Sequence, residues 1–113
     1  YWNFPFVFRI SFMGMETHGM AEKNLSDVWI EPIEYMTELR EAVLYLHMRQ
    51  LNVVVYNLPY CILDEELRAF SADSISEWKK IFLAECKNCQ WSDTCAGVFA
   101  TSVKIPKGIK CKI

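Results

Sequence analysis

No run of apolar residues in this chain approaches the roughly 18 that a membrane-spanning helix requires, so no span is expected. Basic charge is not in excess either. The net charge is -2, which removes the usual electrostatic footprint for nucleic acid or an anionic membrane surface. The opening YWNFPFVFRI has no basic leader before its apolar stretch and no small-residue cleavage site after it, so it does not read as a signal peptide. No internal repeat or low-complexity segment occurs. An even set of cysteines is also missing. There are five, at unevenly spaced positions, which argues against a closed disulfide framework. The expectation from these absences is a cytoplasmic globular chain.

A length of 113 residues suits one domain, and 52% hydrophobic with 23% charged residues suits a folded one. Large rings are abundant, with 4 Trp, 7 Phe and 5 Tyr. A chain of this size buries only about two-thirds of its unfolded surface. So many rings, in a sequence that begins with Tyr1, read as the C-terminal part of a longer protein or as a surface for a partner.

The periodicities predict an α/β order. Residues 5 to 13, PFVFRISFM, predict a strand over 6–13. The polar stretch Gly14 to Asp27 predicts a long loop, and Val28-Trp29-Ile30 a short extended piece. Pro32 suits a first helical turn, and Glu31 and Glu34 suit the positive end of the helix dipole. Ile33, Met36, Leu39, Val43 and Leu46 make an apolar stripe, giving a helix over 32–49. Asn52 starts a second strand whose Val53-Val54-Val55 run predicts cover on both faces. Strand, loop, helix and strand form one crossover unit. Residues 64–70 predict a short helix. The capping-box spacing Ser74-Ile75-Ser76-Glu77 predicts another helix to about Leu83, with Ile75, Trp78, Ile81 and Phe82 on one face. Lys104, Lys107, Lys110 and Lys112 make a basic, solvated tail.

Chemistry concentrates in the cysteines. Cys86 and Cys89 are three positions apart, a spacing that lets one short turn point both sulfurs at a single centre. Cys95 is near enough to add a third ligand. Cys61, at the end of a buried strand, can supply a fourth from a rigid element, and Cys111 is the spare or a substitute fourth. Four thiolates suit tetrahedral zinc or an iron–sulfur cluster. Zinc ribbons usually carry two CxxC knuckles and this chain has one, so the pattern favours a cluster. A four-cysteine zinc module for protein interaction, without enzymatic activity, is the rival. Ordinary buried cysteines are the third reading, though three in ten residues of a polar loop is not a core pattern.

The segment Cys86-x-x-Cys89, five residues, then Cys95-Ala96-Gly97-Val98-Phe99 resembles the CxxCx5CxGxF ending of the auxiliary-cluster (Twitch or SPASM) region of radical SAM enzymes. Taken with FMGMETHGMAEKN, WIEPIEYM and YNLPYC, the chain most resembles the radical SAM maturase of the His-Xaa-Ser peptide-modification system. The resemblance implies that residues 1–50 end a partial (β/α) barrel and that 51–113 form the auxiliary cluster region. It implies an auxiliary 4Fe–4S cluster on Cys61, Cys86, Cys89 and Cys95, and S-adenosylmethionine near Gly14 and Glu16 in the complete protein. It implies a peptide or protein substrate. The CxxxCxxC that holds the SAM-cleaving cluster is not in this sequence, so the chain is expected to be inactive without the rest of the barrel.

Further candidates each have a plain rival. Met13, Met15 and Met20 either border a SAM or substrate cavity or simply fill gaps. Glu16, Thr17 and His18 either contact a ligand or form a solvated loop. His47 reads as a surface or half-buried helix residue. Gly97 permits close backbone approach or a plain turn, and Trp91 shields the centre or only packs.

Overall fold

A computed structural model describes residues 4–109. The expectations for Lys110, Cys111 and Lys112 lie outside the described residues. The architecture is a small α/β fold built on a three-stranded parallel sheet of order β1-β2-β3, with a second sheet of two short strands. Strand β1 (Arg9–Met13) pairs in parallel with β2 (Asn52–Tyr56) from Arg9↔Asn52 to Met13↔Tyr56. Between them runs the long helix α3 (Pro32–Met48). This is the predicted crossover unit. Strand β3 (Ser71–Ala72) extends the sheet on the other side of β2.

The period-two alternation decides which face is covered. Ile10, Phe12, Val53 and Val55 share the face packed on Met36, Leu39, Val43 and Leu46 of α3. Val43 and Val55 are fully buried and anchor this core. The opposite face carries exposed Arg9, Ser11 and Met13 and half-buried Val54 and Tyr56. There Arg9 donates to the Tyr56 hydroxyl at 2.8 Å. Cover on both faces of the valine run is therefore only half realised.

Several sequence expectations need correction. Strand β1 starts at Arg9 rather than residue 6, because Asn52, the residue opposite it, begins β2. Ahead of it Val7 N–H donates to the Phe4 carbonyl in a turn. The 14–27 loop holds two single-turn helices, α1 (Met20–Lys23) and α2 (Leu25–Val28). Asn24 links them and donates from Nδ2 to the Met20 carbonyl at 2.9 Å. Val28 thus ends a helical turn, and Trp29 and Glu31 after it are extended. In α3, Ile33 is exposed and Pro32 takes a buried place. The expected 64–70 helix is a 3₁₀ helix over Glu65–Phe70.

The largest miss is the helix expected over 74–83. Only a 3₁₀ turn at Glu77–Lys79 forms, and Lys80–Ile81 (β4) then pairs antiparallel with Val98–Phe99 (β5). Ser74 does not cap a helix. Its N–H and hydroxyl both donate to Asn57 Oδ1, at 3.1 and 3.0 Å. Of the supposed apolar face only Ile75 is buried, while Trp78, Ile81 and Phe82 are exposed. Pairing with a strand 17 residues further on overrides the local capping pattern, as tertiary contacts routinely do. Among the described residues no helix is long and apolar enough to cross a membrane.

Candidate metal centre

Strand β2 delivers its chain to the site through a sharp reversal. Asn57 follows Tyr56 with φ 64°, a left-handed conformation that asparagine tolerates better than most residues. Leu58 and Pro59 are then buried. Ile62 and Leu63 N–H both donate to the Pro59 carbonyl, and this turn sets Cys61 against the edge of the core.

The other three thiols come from consecutive turns. Cys86 N–H donates to the Leu83 carbonyl at 2.9 Å, Cys89 N–H to the Cys86 carbonyl at 3.0 Å, and Cys95 N–H to the Trp91 carbonyl at 2.8 Å. Such turns suit a polar segment that lacks the apolar residues for a helix or strand of its own. Beyond them Gly97 takes φ 71°, and an added Cβ would lie 3.0 Å from the Ile81 carbonyl oxygen. Gly97 therefore serves both close approach and a positive φ.

Cys61, Cys86, Cys89 and Cys95 all border one small, mainly apolar cavity, closed by residues that include Trp91 and Val98. All four are partly buried. Measured to the centre of a water-sized sphere, the cavity is about 20 Å³, room for about one water. Cys95 Sγ accepts two backbone N–H bonds, from Tyr60 and Gly97, each at 3.4 Å. Backbone donors of this kind fix the orientation of a sulfur ligand. Four thiols, a dry wall and N–H donors on one sulfur fit a sulfur-ligated centre. Among the described residues no three Cys, His, Asp or Glu side chains are grouped to hold a single ion.

A second cavity, about 250 Å³, opens at the carboxyl ends of β1 and β2, where open parallel sheets commonly bind ligands. Met13, Gly14, Met15, Trp29 and Tyr35 line it. Burial and the charge of Glu31 hold the Tyr35 hydroxyl above its usual range. Pro59, Gly97 and Val98 border both cavities and form the wall between them. Of the two residues predicted near S-adenosylmethionine, Gly14 borders this space. The Glu16 carboxylate instead accepts from the Thr101 hydroxyl and pairs with Lys79 Nζ at 3.4 Å. His18 and Met20 are exposed, and His47 stacks edge-on with Phe70 away from the thiols.

Thr17 is fully buried, and sequence reasoning did not distinguish it from its solvated neighbours. Its N–H donates to Ser102 Oγ at 2.9 Å, its hydroxyl accepts from Lys104 N–H at 2.8 Å, and its carbonyl accepts from Val103 N–H at 3.1 Å. The loop after β1 is thereby stitched to the segment after β5. Lys79, Thr101, Tyr60 and Arg68 were also missed, because partners 8 to 85 residues apart leave no local signal.

The Thr101 hydrogen bond lowers the Glu16 carboxyl below its ordinary value of 4.5, against an opposing push from burial, with Lys79 and then His18 adding to the lowering. A carboxyl lowered in the folded state stabilises the fold above its unfolded value and loses that contribution as pH falls through the lowered one. Stability is therefore expected to decline as pH drops below 4.5, and Glu16→Gln to flatten part of that decline in urea unfolding followed from about pH 7 to pH 3. Parallel profiles for the two proteins would show that Glu16 contributes nothing.

Comparison of the chain with protein-family models, with curated proteins and with solved structures finds no match.

Proposed function

We propose that this chain is the C-terminal part of a radical SAM peptide- or protein-modifying enzyme, and that it carries an auxiliary 4Fe–4S cluster on Cys61, Cys86, Cys89 and Cys95. The observation that supports this reading best is the meeting of those four thiols, from the exit of β2 and one later loop, at a single apolar cavity. The half-bare face of the sheet supports the barrel part of the reading. Parallel strands are ordinarily covered on both faces, and in a barrel the Ser11, Met13 and Val54 face would meet interior side chains. When bound, the auxiliary cluster would supply electron transfer or help position the substrate. The chain's own contribution is to hold four sulfurs, keep water from them, and present the 250 Å³ cavity beside them for S-adenosylmethionine or substrate. The remainder of the barrel, bearing a CxxxCxxC, is the partner this reading requires.

Anaerobic purification and reconstitution test it. The expected protein is brown, with broad absorption near ~400 nm and about four iron and four sulfide per auxiliary site. Cys86→Ala and Cys95→Ala are expected to lose most of that iron, and Cys61→Ala a large share. A colourless protein carrying one zinc per chain would replace this reading with the zinc interaction module. Full iron retention in the Cys61 variant would remove that residue from the ligand set.

A further inference from the structure

Beside the thiol cavity stands a cation held by residues that the cysteine pattern does not include. Arg68 projects from the 3₁₀ helix between β2 and β3. Its Nε donates to the Tyr60 carbonyl at 3.0 Å, and its guanidinium carbon lies 4.3 Å from the centre of the Trp91 ring. The Tyr60 ring meets the same indole edge-to-face at 5.9 Å and 64°. Trp91 borders the cavity, and Tyr60 N–H donates to Cys95 Sγ. One arginine thus contacts both the residue whose N–H bonds a cavity sulfur and the ring that walls the cavity.

We propose that Arg68 is a positioning residue that clamps Trp91 as a lid over the thiol cavity, keeping solvent and oxidants from the sulfurs and holding positive charge beside them. Three features carry this. The guanidinium is partly buried, where a cation over an indole face gains more than in open water. Trp91 lies on a loop of short turns, and the Arg68 guanidinium and the Tyr60 ring tie its indole to the segment that leaves β2. A fixed cation near sulfur ligands favours the more negative, reduced form of a redox centre. The lid belongs to the chain whatever the cavity holds. Only its effect on potential rests on the iron–sulfur reading.

The test uses the protein as isolated, with excess iodoacetamide, and reads alkylation of Cys86, Cys89 and Cys95 by mass spectrometry. Arg68→Gln keeps a donor for the Tyr60 carbonyl and removes the cation. It is expected to speed alkylation about two- to tenfold, the factor by which a lost cation–π contact shifts a local opening equilibrium. Trp91→Ala is expected to speed it at least as much, and Arg68→Lys to stay near the parent rate. Equal rates in the parent, Arg68→Gln and Trp91→Ala overturn the lid, whether or not a cluster is present. Where the reconstituted protein carries iron and sulfide, its reduction potential is expected to fall in Arg68→Gln and recover in Arg68→Lys, and an unchanged potential overturns the charge role. Absence of iron defeats the proposed function and leaves the alkylation result to decide the lid alone.

Discussion

Leu67→Ala is expected to destabilise the protein by about 2–5 kcal/mol, the usual cost of a leucine truncated in a packed core. Leu67 is fully buried although it lies in a 3₁₀ helix flanked by exposed Glu65, Glu66 and Ala69. With Leu63 it fills the space between α3 and the loop that leaves β2. Little can collapse into the gap, since the chain on both sides is tied down. Leu67 N–H donates to the Asp64 carbonyl at 2.9 Å, and Asp64 in turn accepts from Arg40 on α3 at 3.4 Å. For a domain near 100 residues each 1 kcal/mol moves the melting temperature by about 4–8 °C, so a drop of about 10 °C or more is expected in thermal unfolding. Leu67→Met, which conserves volume, should cost less than about 1.5 kcal/mol. A drop for the alanine variant no larger than that for the methionine variant would show that this side chain is not a core element.

Gly14→Ala is expected to cost about 1–3 kcal/mol, the range for forcing extra atoms into a packed site. Gly14 is buried at the end of β1, and its N–H donates to the Tyr56 carbonyl at 2.8 Å. A Cβ built there would lie 2.5 Å from the Asn57 carbonyl oxygen and 3.0 Å from Leu58 Cδ2. The close neighbour is backbone, so no side-chain rotation relieves the clash. Asn57 would have to move, and it already holds a left-handed φ and both Ser74 hydrogen bonds. The same shift would disturb the wall of the larger cavity, which Gly14 and Asn57 share. Denaturant unfolding measures the loss. An unchanged midpoint would mean that β1 and β2 can separate at this end without penalty.

The legible part of the fold was the part governed by local periodicity. The α3 stripe placed Met36, Leu39, Val43 and Leu46 in the core, and the valine run placed β2 beside β1. The four cysteines singled out by their spacing all border one cavity. What failed was whatever depended on distant partners. Ser74 has the right neighbours to cap a helix, yet Asn57 claims its hydroxyl, and Lys80–Ile81 pairs with β5. Glu16 was read as either a ligand contact or a solvated loop residue, and neither reading foresaw its bonds to Lys79 and Thr101, 63 and 85 positions away. Arg68 carried no sequence signal, since nothing local tells an arginine on a 3₁₀ helix that an indole 23 positions later lies beneath it.

The Thr17 stitch bears on the order in which this protein assembles. Its bonds to Ser102 and Lys104 join positions 85 and 87 apart, among the most non-local links in the chain, and such links form slowly because a long loop must close before they repay its lost entropy. β5, which lines the thiol cavity through Val98, sits a few residues before that seam. During refolding, the turn at Cys86 and Cys89 is expected to form before their enclosure. The cavity that the four cysteines border is then complete only once the loop after β1 has met the segment after β5.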